Sequence, residues 1–263
     1  MMEPLNHRNI SKFRPAPLSG IQTTDSPVEI KKESILEKKI QESEAEKEKA
    51  TSEALKFGGI AFLILSGIGL ITQVPGFFIA GAVFLGISFL VMLFYGLSDN
   101  TVTLKAGLSG EEALRDKLRE ILSSDYKVIY NYPTPHGDID ALVVGPTGVF
   151  VLEAKNHNGY ITVDENGWHR QKVGQMGTVY DASIGNPEKQ AKKNVWFISN
   201  HLKQKGIKVW VDYFVVFTNP EVKLEVKNGN KRIIHIDELD KVFSNLTKLD
   251  NQTIDNVFKA LNS

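Results

Sequence analysis

From Phe57 to Leu97 the chain carries no charged side chain, a run of 41 residues. A single core helix of a soluble domain is not that long, so this run constrains the fold more than any other feature. Val74-Pro75-Gly76 divides it into 57–74 (18 residues) and 76–97 (22 residues). At ~1.5 Å per residue two such helices reach about 27 and 33 Å, close to the hydrocarbon thickness of a bilayer. Gly58, Gly59, Gly67, Gly69, Gly81 and Gly86 weaken a helix in water but permit close helix contact in lipid. The arithmetic predicts a transmembrane hairpin with a very short outer turn; a buried soluble hairpin is the alternative. With no charge inside the run, a transport path or a proton relay has no support.

The flanks set its expected orientation. Lys38, Lys39, Lys47, Lys49 and Lys56 precede the run, Lys105, Arg115 and Lys117 follow it, and the turn has none. Both ends are therefore expected on the cytoplasmic side, as a two-span integral protein of the cell membrane. Residues 1–30 hold Pro4, Pro15, Pro17 and Pro27 and no sustained periodicity, which predicts a disordered cytoplasmic tail. Residues 31–56 hold seven Lys and seven Glu with no Pro or Gly, a composition that favours a solvated helix. Ile35, Leu36, Ile40, Ala45 and Leu55 are its apolar contacts, and a homo-oligomer joined through this helix is the alternative to a simple connector.

The whole chain has 31 basic and 31 acidic side chains and no cysteine. Zero net charge argues against a protein that coats nucleic acid by bulk charge. The absence of cysteine excludes disulfides, thiolate zinc sites and a cysteine nucleophile. No Gly-x-Ser-x-Gly elbow, phosphate-cradling Walker loop or paired histidine ligands are present.

After the apolar run the pattern predicts a mixed α/β (α+β) domain with one central sheet flanked by helices. Ser109-Gly-Glu-Glu112 has capping-box spacing, so a helix is expected over 110–123. Strands are expected over 127–132, 138–144 and 149–155, with Gly145-Pro-Thr-Gly148 as a hairpin turn. A second short hairpin follows over 159–171. Asn186 and Pro187 read as N-cap and first residue of a helix. A buried strand over 208–217, a short strand over 233–236 and a helical stretch capped by Asp237 complete the order.

Chemistry is expected where two of these strands face each other. Asp138 and Asp140 share one face of their strand, as do Glu153 and Lys155 of theirs. A turn centred between Pro146 and Thr147 sets Asp140 opposite Glu153 and Asp138 opposite Lys155. Opposed carboxylates on an apolar sheet need compensation, and a divalent cation, Mg²⁺ or Mn²⁺, held by Asp140 and Glu153 supplies it. With Lys155 beside the pair, these are the parts of metal-assisted phosphodiester hydrolysis. The plain alternative is an ordinary ion pair, or solvated side chains at strand ends.

Gly137-Asp-Ile-Asp140, Gly145-Pro146, Gly148-Val-Phe-Val-Leu-Glu-Ala-Lys-Asn156 and Gly159 resemble the NERD (nuclease-related domain) family, as do Gly110-Glu111 and Asn186-Pro-Glu-Lys-Gln-Ala191. The resemblance covers about 106–220. It implies a restriction-endonuclease-like core of the PD-(D/E)xK superfamily, here in a nuclease-like domain over 106–245 with a C-terminal helical extension over 246–263. It implies Asp140 as the lone acidic residue, Glu153-Ala-Lys155 as the (D/E)xK element, and Glu111 and Gln190 as the rest of the catalytic set. Ile139 stands where the superfamily name has Pro.

Around this set, Asp138 is a candidate outer ligand or a partner for Lys155. Glu111 has a rival role in stabilising a helix N-terminus. His136 and His157 are expected to be inert. Lys189, Lys192 and Lys193, with Asn194, and also Arg170 and Lys172, are candidates for phosphate contact or a merely solvated face. Trp168, Tyr180 and Trp196 are expected in the core or its rim, with base stacking as the alternative. The expected function is a membrane-anchored, metal-dependent nuclease, acting on DNA in preference to RNA. The alternative is an inactive scaffold that binds nucleic acid or protein.

Overall fold

A computed structural model describes residues 26–32, 34–97, 101–174, 176–244 and 249–263. Most of the expected disordered tail and the start of the expected C-terminal extension lie outside the described residues.

Helix α1 runs unbroken from Ile35 to Thr72. The charged segment and the first apolar segment are thus one rod, not two elements meeting at Lys56. At ~1.5 Å per residue it is about 57 Å long. It ends where Gln73 turns left-handed (φ 57°) just before Pro75. Helix α2 (Gly76–Leu97) returns alongside it. The backbones approach at glycines: Gly58 lies against Ser88, and a Cβ added to Gly69 would meet the Phe78 ring at 2.8 Å. The outward apolar side chains, Leu63, Leu70, Ile71 and Leu90 among them, are exposed. That argues against a buried soluble hairpin. Both helices are long and apolar enough to cross a membrane.

Helix α3 spans Thr101–Ile121, so the helix expected from 110 begins earlier and Ser109 caps nothing. The capping-box pattern is local. The first turns of α3 are instead held by α1, where Gly107 sits under Leu36 and Lys105 pairs with Glu44 at 2.9 Å.

Strands β1 (Val28–Lys31), β2 (Lys127–Tyr132), β3 (Ile139–Gly145), β4 (Gly148–Lys155), β8 (Val211–Phe217) and β10 (Ile233–His235) form a six-stranded sheet in the order β1-β2-β3-β4-β8-β10. β2, β3 and β4 are an antiparallel meander; β8 and β10 add in parallel. β1 was expected to be tail and charged helix. It pairs parallel to β2 because β2 offers it a template, and Glu29 fixes it to Arg119 of α3 at 2.8 Å.

A second sheet, which the pattern did not anticipate, has the order β7-β6-β5-β9. It comprises β5 (Gly159–Asp164), β6 (Gly167–Val173), β7 (Val179–Asp181) and β9 (Val222–Val226). It continues the first, since β4 leads into β5, β8 leads into β9, and both pairs are parallel. The ladder breaks between them. Its register passes from Lys155 opposite Phe217 to Gly159 opposite Val222, so the β8–β9 side carries one extra residue.

Helix α4 (Pro187–Gln204) starts as expected, with Asn186 Oδ1 accepting the Lys189 N–H at 2.8 Å. The last strand of the first sheet is followed by a 3₁₀ turn (Ile236–Glu238) capped by His235, not Asp237, then α5 (Leu239–Phe243) and α6 (Asn251–Asn262). One face of the large sheet packs Leu114 and Leu118 of α3, and Leu122 just past its end, against Val143, Leu152 and Val216. The other packs Ile198 and Leu202 of α4 and Ile254, Val257 and Leu261 of α6 against Leu142, Val151 and Val215. Helix α6 is therefore part of the core, not an extension. Leu36 and Ile40, which the alternative reading offered for contact between copies, are taken up within the chain: Leu36 lies against Gly107, and Ile40 is buried.

Asn131 on β2 is buried, left-handed (φ 55°), and donates from Nδ2 to the Lys32 carbonyl at 3.0 Å. It joins β2 to the segment between β1 and α1. Asn131→Ala is expected to destabilise the chain by ~2 kcal/mol, from a lost hydrogen bond and left-handed strain. Asn131→Gly removes the strain and should be less damaging by about 1 kcal/mol. Urea unfolding of the detergent-solubilised chain, followed by tryptophan fluorescence, checks the order.

Candidate active site

The hairpin register is the expected one, with Gly145 opposite Gly148 and Ala141 opposite Leu152. Gly145 leaves room for the Tyr126 ring, which any Cβ there would strike. The ladder stops at Ala141, and beyond it Asp140 Oδ2 accepts the Ala154 N–H at 2.6 Å. Asp140 is thereby held against β4, beside Glu153 and Lys155.

Glu153 is 1% exposed. One carboxylate oxygen, Oε1, accepts from Lys155 Nζ at 2.5 Å; the other, Oε2, is buried with no partner. Burial, with Asp140 adding to it, pushes the Glu153 carboxyl above the usual range. Burial likewise raises Asp140, against the pull of Lys155 and the Ala154 N–H. Burial alone would lower the Lys155 ammonium, but Glu153 and Asp140 outweigh it and hold Lys155 above its ordinary value.

Helix α3 brings Glu111 to this group. Burial first, and then Asp140, push its carboxyl up to about 8, and its Oε2 is also buried without a partner. Because α3 begins at Thr101, Glu111 is mid-helix, which removes its rival role at a helix start. Gly110 permits the approach. A Cβ there would stand 2.7 Å from Asn156 Cβ and 3.0 Å from Thr218 Oγ1, both at the break between the sheets.

Asp138 does not face Lys155 as expected. Its Oδ2 accepts the Ile35 N–H at 2.8 Å, and Ser34 Oγ accepts the Leu36 N–H at 3.1 Å, so together they cap the first turn of α1. The positive end of the helix and the loop before Asp140 are fastened to each other.

Gln190 is half-buried on α4, and no hydrogen bond among the described residues ties it to Asp140 or Glu153. Lys189, Lys192 and Lys193 line a surface groove with His136 instead. Arg170, expected to meet phosphate, is 9% exposed and structural: it donates to Asn158 O, Asn158 Oδ1 and Ser183 O at 2.9–3.4 Å. Trp168 packs on Phe217, as expected for the core rim. His157 is neutral, burial and then Arg170 holding it down to about 4.

Two polar groups, Arg115 and Thr218, were not expected at the site, and a third, Asn194, was expected among the phosphate-contact candidates but lies on the buried face of α4. Arg115 has a buried Nε without a partner, faces the Tyr130 ring at 5.0 Å and lies near Glu111. The i, i+4 spacing of Glu111 and Arg115 was a usable signal. Asn194 is fully buried and accepts from Thr134 Oγ1 at 3.0 Å. Thr218 Oγ1 is buried at the sheet break without a partner. Thr218 belongs to no pattern readable before folding.

Residues 106–218 match the sequence model of the nuclease-related domain family. Over this segment the chain is similar to NERD domains. An uncharacterized protein of Bacillus anthracis is 26% identical over 171 residues, which is 59% of this chain and 74% of that protein. No solved structure matches the chain. The matched segment contains Glu111, Asp140, Glu153, Lys155 and Gln190, and stops at Thr218 where the first sheet breaks.

Among the described residues no three His, Asp or Glu side chains stand together as a metal cage. The donor set still fits a hard cation in its chemistry. Two buried carboxylate oxygens lack partners, and carboxylates plus water and phosphate are how Mg²⁺ is commonly held.

The raised carboxyls give a testable pH dependence. The folded chain holds the Glu111 proton more tightly than the unfolded chain does, so stability from this group is present at low pH and lost as pH rises toward about 8. His157 acts oppositely, but only between its ordinary value of 6.5 and about 4. In chelator, therefore, melting temperature is expected to fall from pH 6.5 to pH 8, and Glu111→Gln to flatten that slope. A slope unchanged in the variant would remove this account.

Proposed function

We propose that this chain is a membrane-anchored nuclease whose NERD domain hydrolyses phosphodiesters at Asp140, Glu153 and Lys155. The observation that carries the reading is Glu153, buried, with one oxygen on Lys155 and the other unpartnered. A lone structural ion pair leaves no such oxygen to satisfy. Asp140 and Glu153 would hold a divalent cation, which supplies Lewis acidity toward a phosphate oxygen and acidifies a bound water. Lys155 keeps its proton and presents positive charge to the scissile phosphate, where negative charge grows during attack. Asp140, fixed by the Ala154 N–H, keeps its orientation without help from solvent. Glu111, protonated at pH 7 in the cation-free chain, has a proton to donate within the group. Gln190 completes the set from α4.

The two apolar helices are read as a membrane hairpin, which puts both flanks on one side; the lysine excess before it makes that side cytoplasmic. Nucleic acid reaching the membrane surface is then the substrate, DNA in preference to RNA. The second reading is an inactive binding module. It draws on Lys155, whose ammonium already occupies Glu153 Oε1.

The full chain in detergent decides between them, since β1 and the start of α1 are built into the domain. With Mg²⁺ or Mn²⁺, cleavage of single- or double-stranded DNA or RNA is expected, and EDTA should stop it. Glu153→Gln and Lys155→Ala should each lower it by ~10²-fold or more. Their melting curves should stay cooperative. Mg²⁺ should raise the melting temperature of the parent chain and not of Asp140→Asn. Cleavage undiminished in both Glu153→Gln and Lys155→Ala would falsify the nuclease reading, and metal-insensitive binding without turnover would favour the module.

A further inference from the structure

Trp196 was expected in the core or its rim, yet it is 65% exposed. An exposed indole of this size on a helix needs a reason, because burying it is strongly favourable. Its neighbours supply one. On α4 the side chains of Lys189, Lys192, Lys193, Trp196, Asn200 and Lys203 fall at offsets of 0, 3, 4, 7, 11 and 14 residues, one stripe of a helix turning ~100° per residue. Ala191, Asn194, Ile198 and Leu202 on the opposite face are buried. The stripe is thus solvent-facing along the whole helix.

Trp196 is the wall shared by two surface hollows. One, of about 450 Å³, lies between His136, Asn186 and the lysines; the other, of about 540 Å³, holds Asn200 and Lys203. The single carboxylate in the first, Glu188, is neutralised. Lys192 pairs with it at 2.6 Å, and Tyr213 Oη and Asn230 Nδ2 donate to it at 2.8 and 3.0 Å. Lys189, Lys193 and Lys203 make no ion pair among the described residues, so their charge is available. The first hollow is bordered by the loop that leads into Asp140. His136 is four residues from Asp140, and its loop is tied to α4 through Thr134, whose Oγ1 accepts the His136 N–H at 3.1 Å and donates to Asn194 Oδ1 at 3.0 Å.

We infer that this face of α4 is a track for single-stranded nucleic acid, with Trp196 stacking on an unpaired base and Lys189, Lys193 and Lys203 meeting the phosphates. A cationic groove interrupted by an aromatic platform is the recurring solution for unpaired strands, since every base has a stacking face. In a duplex the base faces are covered by their neighbours, and Trp196 has nothing to stack on. The inference deepens the nuclease reading by naming its substrate class, but binding along α4 is separable from cleavage.

The test therefore measures binding, by fluorescence anisotropy of labelled 20-mers on the full chain in detergent with EDTA. The probes are oligo(dT), oligo(U) and a DNA duplex. Trp196→Ala should weaken binding of oligo(dT), oligo(U) or both by at least about 5-fold, the lower end of base–aromatic stacking. Trp196→Phe should recover most of it. Lys189→Ala with Lys193→Ala should weaken binding and reduce its salt dependence. Trp210→Ala, which removes a 77% exposed indole off the stripe, should change nothing. Unchanged single-strand binding in Trp196→Ala would overturn the inference, as would a duplex bound as tightly and with the same loss. Binding that behaves as expected in a chain that never cleaves would leave the track standing and remove the nuclease reading.

Discussion

The fold of this domain has to accommodate one expensive arrangement, a buried Glu153 with two further carboxyls and one ammonium partly withdrawn from water at the end of a sheet. Asp140, Glu153 and Glu111 each resist ionisation because burial disfavours their charged forms. Lys155 offsets part of that, and it can do so only from the same strand face as Glu153. The packed meander β2-β3-β4 holds the group together, with α3 on one face and α4 and α6 on the other. The group stands where the β3–β4 ladder ends and the β4–β8 ladder is about to break, so polar side chains point into a gap that backbone pairing does not fill. Gly110 lets α3 close over that gap.

The described residues just ahead of the first apolar helix, from residue 26 on, are built into the domain. β1 extends the central sheet, Asn131 holds the Lys32 carbonyl, and Asp138 caps the first turn of α1. The same helix continues without a break into the apolar hairpin. A continuous rod whose first turn is fastened two residues from Asp140 fixes the direction in which the hairpin leaves the domain. Helix α6 closes the other side, with Lys127 of β2 pairing Asp255 at 2.5 Å and His201 of α4 bonded to the Ala260 carbonyl at 3.0 Å.

Legibility of these features followed the range of the interaction behind them. The Gly145–Gly148 turn sets the β3–β4 register from four residues, so the neighbourhood of Asp140, Glu153 and Lys155 could be read directly. Asn186-Pro187 announced α4 for the same reason. Ser109 and Glu112 misled because their spacing is a local cap pattern, while the helix through them is sustained by Leu36 and Glu44 from another element. β1 carried no pattern of its own, because a short edge strand takes its geometry from β2. Asp138 was placed by alternation on the face of Lys155, but the strand has already ended there and a helix terminus claims its carboxylate.

Taken alone, the amino-acid sequence determined the apolar hairpin, the β3–β4 register, the α4 cap and the residues of the carboxylate–lysine set. Each of these rests on contacts within a few residues or on composition over a continuous run. Tertiary structure decided the rest: that Glu111 joins the set from the middle of a helix, that Asp138 belongs to α1, that Arg170 is structural, and that Trp196 faces outward between two hollows. Those outcomes depend on which surfaces of separate elements meet. Spacing fixes which side of a helix or strand a side chain occupies, but only packing against a second element decides whether that side is core, site or solvent.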